Sequence, residues 1–372
     1  MSGSGRDSQR LPLIDLLKVI GSQLIVLHHL AFYGPMADHA APLMPDVMGW
    51  LGDQARVVVQ IFLVLGGYLS ALSLAPQGHL HGPARVGSRI FERYLRLALP
   101  LLLALLVAIA AAAVARQWMS HPSVPQAPTW TQWLAHVLLA QDLVGQEALS
   151  AGIWYVSIDL QLYATLLLGM TLVASLTKGP DSARKALAMG MVCGVAWSAL
   201  HVNRDSHWDI SAPYFFAAYG LGALAAWARV GRAARYAFGA AMASVVLGLW
   251  LEWRVRLALA AALATLLWVW QSTRIPEDEA AAASGRGRLL GVLHYLGRIS
   301  YAVFLLHFPV CLVVNAVFTE FVPPEPWPQA LGVLLAWTSS VAVGALFHHL
   351  AEAPVMRWIT RCRNAGWRLG LR

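Results

Sequence analysis

The chain has 372 residues, 58% of them hydrophobic and 12% charged, with a formal net charge of +8. So apolar a composition excludes an ordinary soluble domain, leaves no large aqueous domain, and fits a polytopic membrane protein. The cysteines Cys193, Cys311 and Cys362 are too scattered for a disulfide framework or a zinc-ligand spacing, so no metal is expected.

Apolar runs predict ten crossings, at roughly 11–33, 51–76, 94–115, 151–175, 184–200, 212–228, 236–252, 255–272, 291–316 and 328–352. With the N-terminus inside, one side collects most of the cations, among them Arg85, Arg89, Arg93, Arg96, Lys178, Arg184, Arg232, Arg298 and the tail arginines. The other side keeps Arg56, Arg116, Arg204, Arg254 and Arg256. The positive-inside rule then places both termini in the cytoplasm, and nucleic acid is not needed to explain the net charge. The expected fold is all-α, a polytopic transmembrane helix bundle of about ten spans. Residues 1–356 form one integral-membrane domain and 357–372 a basic cytoplasmic tail.

The first run, LPLIDLLKVIGSQLIVLHHLAFYG, follows Arg6 and Arg10 without a small-residue cleavage site and reads as a retained span. It carries Asp15, Lys18, His28 and His29. At about 100° per residue, Lys18 and His29 project within about 20° of each other, roughly 16 Å apart along the axis. Asp15 and Ser22 fall near the same stripe, while His28 turns away. Ionisable groups at membrane depth mark a polar cavity or a partner. The bland account is an Asp15–Lys18 pair near the headgroups and a histidine at the far interface.

In the second span, Gly66 and Gly67 allow close helix approach or a break. Arg89, Arg93 and Arg96 then share a helical face, which suits either positive-inside anchoring or a phosphate-bearing ligand. Residues 131–145 are apolar and flanked by tryptophan, yet too short to cross comfortably; they are expected to be interfacial or re-entrant. The following segment GIWYVSIDLQLY gathers Trp154, Ser157, Asp159, Gln161 and Tyr163, and the acid and amide need partners inside an apolar helix. The stretch TRIPEDEAAAASGRGR reads as a linker. The ninth span holds Arg298, Ser300 and His307 ahead of Pro309, which should kink it. The last span ends with His348, His349 and Glu352 before a proline, where Glu352 near Arg357 is read as interfacial electrostatics.

Taken together, Asp15-x-x-Lys18-x10-His29, QIFLVLGGYL, the Arg93 and Arg96 loop, WYVSIDLQLY, LGRISYAVFLLHFP and a final glutamate before proline resemble the membrane-bound acyltransferase-3 family over nearly the whole chain. The resemblance implies transfer of an acyl group, usually acetyl from cytoplasmic acetyl-CoA, to a hydroxyl on the outer side, with a glycan or lipid-linked saccharide as acceptor. It implies a multi-pass protein of the bacterial inner membrane, in contact with membrane lipid. The family's first-span histidine falls on His29, as base or acyl-accepting nucleophile, with Asp159 as a catalytic carboxylate. Lys18 stands where the family has arginine, Gln60 where it has an acid, and Asp159 where it has glutamate. Lys18, Arg93, Arg96 and Arg298 would hold the donor's phosphates, whereas Asp15, Trp154, Gln161, Tyr163, Ser300 and His307 would meet substrate. A transporter moving acyl groups or another solute without chemistry is the competing expectation.

Overall fold

Proline opens many of the helices, sitting in the first turn of those that begin at residues 35, 45, 180, 212, 326 and 353. Its missing N–H costs nothing there, because the first-turn donors have no intrahelical acceptor. The computed structural model describes residues 12–80, 85–272 and 285–365. Arg6, Arg10, Arg274, Arg368, Arg372 and linker residues 273–284 lie outside the described residues. Among the described residues every regular element is helical: α1 (Pro12–Phe32), α2 (Pro35–Ala40), α3 (Pro45–Asp53), α4 (Val59–Leu74), α5 (Val86–Trp118), α6 (Trp130–Val137), α7 (Trp154–Leu176), α8 (Pro180–Leu200), α9 (Ala212–Trp227), α10 (Arg232–Leu251), α11 (Val255–Ser272), α12 (Gly285–Phe321), α13 (Pro326–Phe347) and α14 (Ala353–Asn364), with a π turn at His348–Glu352 between the last two.

Nine of the described helical segments are long and apolar enough to cross a membrane. Eight match expected spans closely, but the last expected span runs on through the π turn and α14, to Asn364. Residue 357, where the basic tail is expected to begin, lies inside α14, and Arg363 bonds Glu92 of α5 at 3.2 Å. Pro309 lies within α12, which continues past it to Phe321. The remaining expected span is α9. With sixteen residues it is about 24 Å long, shorter than the hydrocarbon layer.

α9 is the hub of the bundle. Fourteen of its sixteen residues are buried, and α4, α7, α8, α10 and α11 pack around it. A helix apolar on every side belongs in a core. Its closest neighbour is α4, and glycine makes that approach possible: a methyl group on Gly67 would strike the Tyr219 carbonyl, and one on Gly222 the Val64 carbonyl. Nearby, Tyr219 and Ser70 join their hydroxyls at 2.8 Å, and the Trp227 indole donates to the Ala75 carbonyl at 2.8 Å.

The 131–145 segment adds no crossing. Thr129 and Gln132 cap α6 reciprocally, and the chain then turns back through Leu139 and Gly145 toward α7. Tyr94 of α5 donates to the Val137 carbonyl at 2.7 Å, so the segment leans on the bundle wall. His136, fully buried, donates from Nδ1 to the Gln132 carbonyl at 2.7 Å and accepts the Leu149 N–H on Nε2 at 3.2 Å. Only the neutral ring can do both.

Two predictions follow from this packing. Gly222→Ala forces backbone apart at the α4–α9 crossing and should lower stability by about 3 kcal/mol, read as a lower thermal midpoint in detergent. Burial lowers the His136 pKa from its usual 6.5, so the unfolded segment binds a proton where the folded one does not. Stability of the 130–150 segment is therefore full above the ordinary value and declines as pH falls below it. Hydrogen exchange at the Leu149 amide, corrected for intrinsic rate, should accelerate between about pH 7 and pH 5.

Candidate functional site

Asp15, Lys18 and His29 of α1 share a face because three and four residue steps return to the same side of a helix. Asp15, Lys18 and His29 all line one cavity of about 1140 Å³. From Asp15 to Phe32 it follows α1 for roughly 25 Å. At the end where α1 and α12 begin, Asp15, Lys18, His294, Arg298, Ser300 and Glu352 form its wall. At the opposite end, Asp53, Arg56, Asp142, Asp209 and Arg256 form it. His28 and His29 lie toward that far end, with Trp154 stacked on Phe215 across ring centroids 5.4 Å apart.

His29 is 6% exposed and its Nδ1 lies 2.5 Å from Nε2 of His307, on α12. His307 is 1% exposed and its own Nδ1 bonds the Phe304 carbonyl at 2.6 Å. Nε2 of His29 is left without a protein partner among the described residues. Gly152, at φ +77°, sits so close that a Cβ there would lie 3.2 Å from Cε1 of His29. The ring is thus held from behind and from the side. His28 also reaches the cavity, its Nδ1 donating to the Leu51 carbonyl at 2.8 Å.

Asp159, an acid that needs a partner inside an apolar helix, makes no hydrogen bond to His29 among the described residues. Asp159 takes Arg93 instead, its Oδ2 accepting from Nη2 at 2.6 Å and from Nε at 3.0 Å. Guanidinium outcompetes imidazole here because it is always charged and offers two donors to one carboxylate. Arg93 also lies over the Tyr163 ring, 5.4 Å from its centroid. The Arg93–Asp159 pair lies on the cavity wall, whereas Tyr163 stands behind it.

At the near end, Asp15 meets His294 at 2.9 Å rather than Lys18. Lys18 and Arg298 make no ion pair among the described residues, although Arg298 lies over the Tyr295 ring at 5.5 Å. Ser300 lines the cavity and donates to the Gly297 carbonyl at 2.9 Å.

Besides Tyr163, three expected site residues stand off the cavity wall. Arg96 pairs with Glu92 at 2.8 Å, away from the cavity wall. Gln161 accepts the Ala212 N–H at 3.0 Å and so serves the start of α9. His307 touches His29 rather than the cavity. Glu352 corrects the reading in the opposite direction: it pairs with His348 at 2.8 Å inside the π turn and faces the cavity, rather than meeting Arg357 at an interface. An unexplained acid before a proline was the only sequence signal for it, and π turns are frequent at functional sites. His28, His294, Arg56 and Arg256 carried no signal beyond being charged or ionisable near an apolar run.

The model of a protein family described as "Acyltransferase domain" matches residues 11–349 of the chain. No curated protein and no solved structure matches it.

Asp159→Asn leaves the Arg93 guanidinium without its counter-charge and should cost about 3 kcal/mol in thermal unfolding. Adding Arg93→Gln should return part of that loss, a coupling of about 1–3 kcal/mol in the double-mutant cycle.

Proposed function

The chain belongs to the acyltransferase-3 family and is a multi-pass membrane acyltransferase; from that premise we propose that it moves an acetyl group from cytoplasmic acetyl-CoA to a glycan hydroxyl on the outer side of the bacterial inner membrane. Supporting this reading is one continuous cavity, with Lys18 and Arg298 making no ion pair among the described residues at one end and, toward the other, a histidine bonded through Nδ1 whose Nε2 has no partner among those residues. The positive-inside rule puts the end with Lys18 and Arg298 in the cytoplasm.

Lys18 and Arg298 hold the donor's phosphates at the mouth, with the long pantetheine arm extended along α1. Lys18 and His29 are eleven residues apart, roughly 16 Å along the axis, so a thioester on such an arm arrives beside the imidazole. Arg96, tied to Glu92, is outside this path, and Arg93 serves by fixing Asp159 and the wall rather than as a free cation. Trp154 offers a flat apolar face to a sugar ring near His29, a usual way to seat a saccharide.

A sugar hydroxyl needs a base before it attacks a thioester. Nε2 of His29 takes the hydroxyl proton as the oxygen bonds to the thioester carbonyl carbon. The tetrahedral oxyanion then collapses, the carbon–sulfur bond breaks, and the departing CoA thiolate takes the proton back from the imidazolium. An ester and free CoA thiol leave, and the neutral imidazole is restored.

His29→Ala, at matched protein level in expressing cells, should lower ester-bound acetate in the cell envelope by about 10²–10⁴-fold; undiminished acetylation would remove His29 from the chemistry. Purified protein given labelled acetyl-CoA and envelope glycan extract should release CoA. A transporter that performs no transfer would release none.

A further inference from the structure

We infer that His307 is a positioning residue: it fixes the tautomer of the resting His29 so that Nε2, the nitrogen toward the substrate, is the unprotonated one. The inference rests on the assignment of His29 as base, and it comes from counting protons across two hydrogen bonds.

A carbonyl oxygen only accepts. The 2.6 Å contact between Nδ1 of His307 and the Phe304 carbonyl therefore requires a proton on that nitrogen. Both histidines are almost wholly buried, and neither contacts a carboxylate among the described residues, so both rings are neutral. A neutral imidazole has one ring proton, so Nε2 of His307 is a lone pair. The atom facing it, 2.5 Å away, is Nδ1 of His29. Two lone pairs would repel, so His29 carries its proton on Nδ1 and donates it to His307. The same count leaves Nε2 of His29 as a lone pair.

The chain of donors runs His29 Nδ1–H to His307 Nε2, then His307 Nδ1–H to the Phe304 carbonyl. Its direction is set at the backbone, which cannot change role. The ring planes differ by 18° with centroids 4.8 Å apart, a separation that fits an edge-to-edge bond between the two imidazoles. Where many histidine bases are oriented by a carboxylate, a second neutral imidazole does so here, and the available carboxylate, Asp159, is held by Arg93 instead. When Nε2 of His29 takes a proton, Nδ1–H stays bonded to His307 and the ring need not rotate.

The test compares His307→Leu, which has no acceptor, with His307→Gln, whose Oε1 can accept the Nδ1 proton of His29. Each is measured beside His29→Ala and the double variant His29→Ala/His307→Leu. Membranes from expressing cells supply the acceptor, labelled acetyl-CoA is the probe, and folded protein is matched by size-exclusion chromatography. His307→Leu should lower kcat by about 10²-fold with KM for acetyl-CoA unchanged, and His307→Gln should recover at least about tenfold of that loss. The double variant should be no slower than His29→Ala, because the two residues act as one unit. A Leu variant with full kcat, a Gln variant no better than Leu, or a double variant slower than His29→Ala would each reduce His307 to a packing role. If His29→Ala retains full transfer, the base assignment itself falls. If only His307→Leu retains it, this inference falls alone.

Discussion

Everything at the site hangs on the register between α1 and α12. Two hydrogen bonds tie them, Asp15 to His294 and His29 to His307, and just beyond the end of α1 the Met36 amide of α2 adds a third to α12 by donating to Asn315. Each partner lies 278 or 279 positions further along the chain, so the two helices run parallel and in step across the whole length of α1. Inside lipid there is no water to satisfy a stray polar group, and a shift by one residue would break all three bonds together. Gly297 lets the helices come this close, since a Cβ there would sit 3.1 Å from the Cα of Asp15. Polar groups that are costly singly become, in step, the reason for one alignment.

The bundle divides its labour between this wet seam and the dry hub at α9. Around the hub, contacts are glycine, alanine and leucine against backbone, and close approach supplies dispersion where lipid offers no hydrophobic drive. The cavity lies between hub and seam. Its wall takes Gly66 and Asp159 from the hub side and Asp15, Lys18 and His29 from the seam side. The Arg93–Asp159 pair therefore stands where the dry half meets the wet one. Of the five arginines expected on the outer side, Arg116, Arg204 and Arg254 are used to hold loops, bonding Pro125, Glu252 and Asn203. Arg56 and Arg256 face the cavity.

Periodicity made the helices and their polar stripe legible. The Lys18–His29 alignment, the close approach at Gly67 and the failure of 131–145 to cross all follow from local spacing and length, and the structure contains each. What a helical wheel cannot give is the identity of the residue on the other side. Asp159 needed a partner that its own helix does not name; Arg93, with a fixed charge and a planar fork, is the one that holds it. His307 looked like a substrate contact because its own helix says nothing about α1. Glu352 was misread since a π turn shifts its direction by a fraction of a turn, which a regular wheel does not register. Arg96 shares a face with Arg93 nearly a turn away, yet Glu92 four residues earlier captures it.

The α1–α12 seam also dictates when the enzyme comes into being. Asp15 and its histidine partner are separated by 279 positions, so α1 is made long before its companion exists. At roughly 5–20 residues per second, a ribosome needs on the order of tens of seconds to reach α12. Throughout that interval the Asp15 carboxylate and the His29 imidazole of α1 are without their α12 partners. The cavity wall between α1 and α12 is therefore completed late, and a chain cut short before α12 lacks that wall.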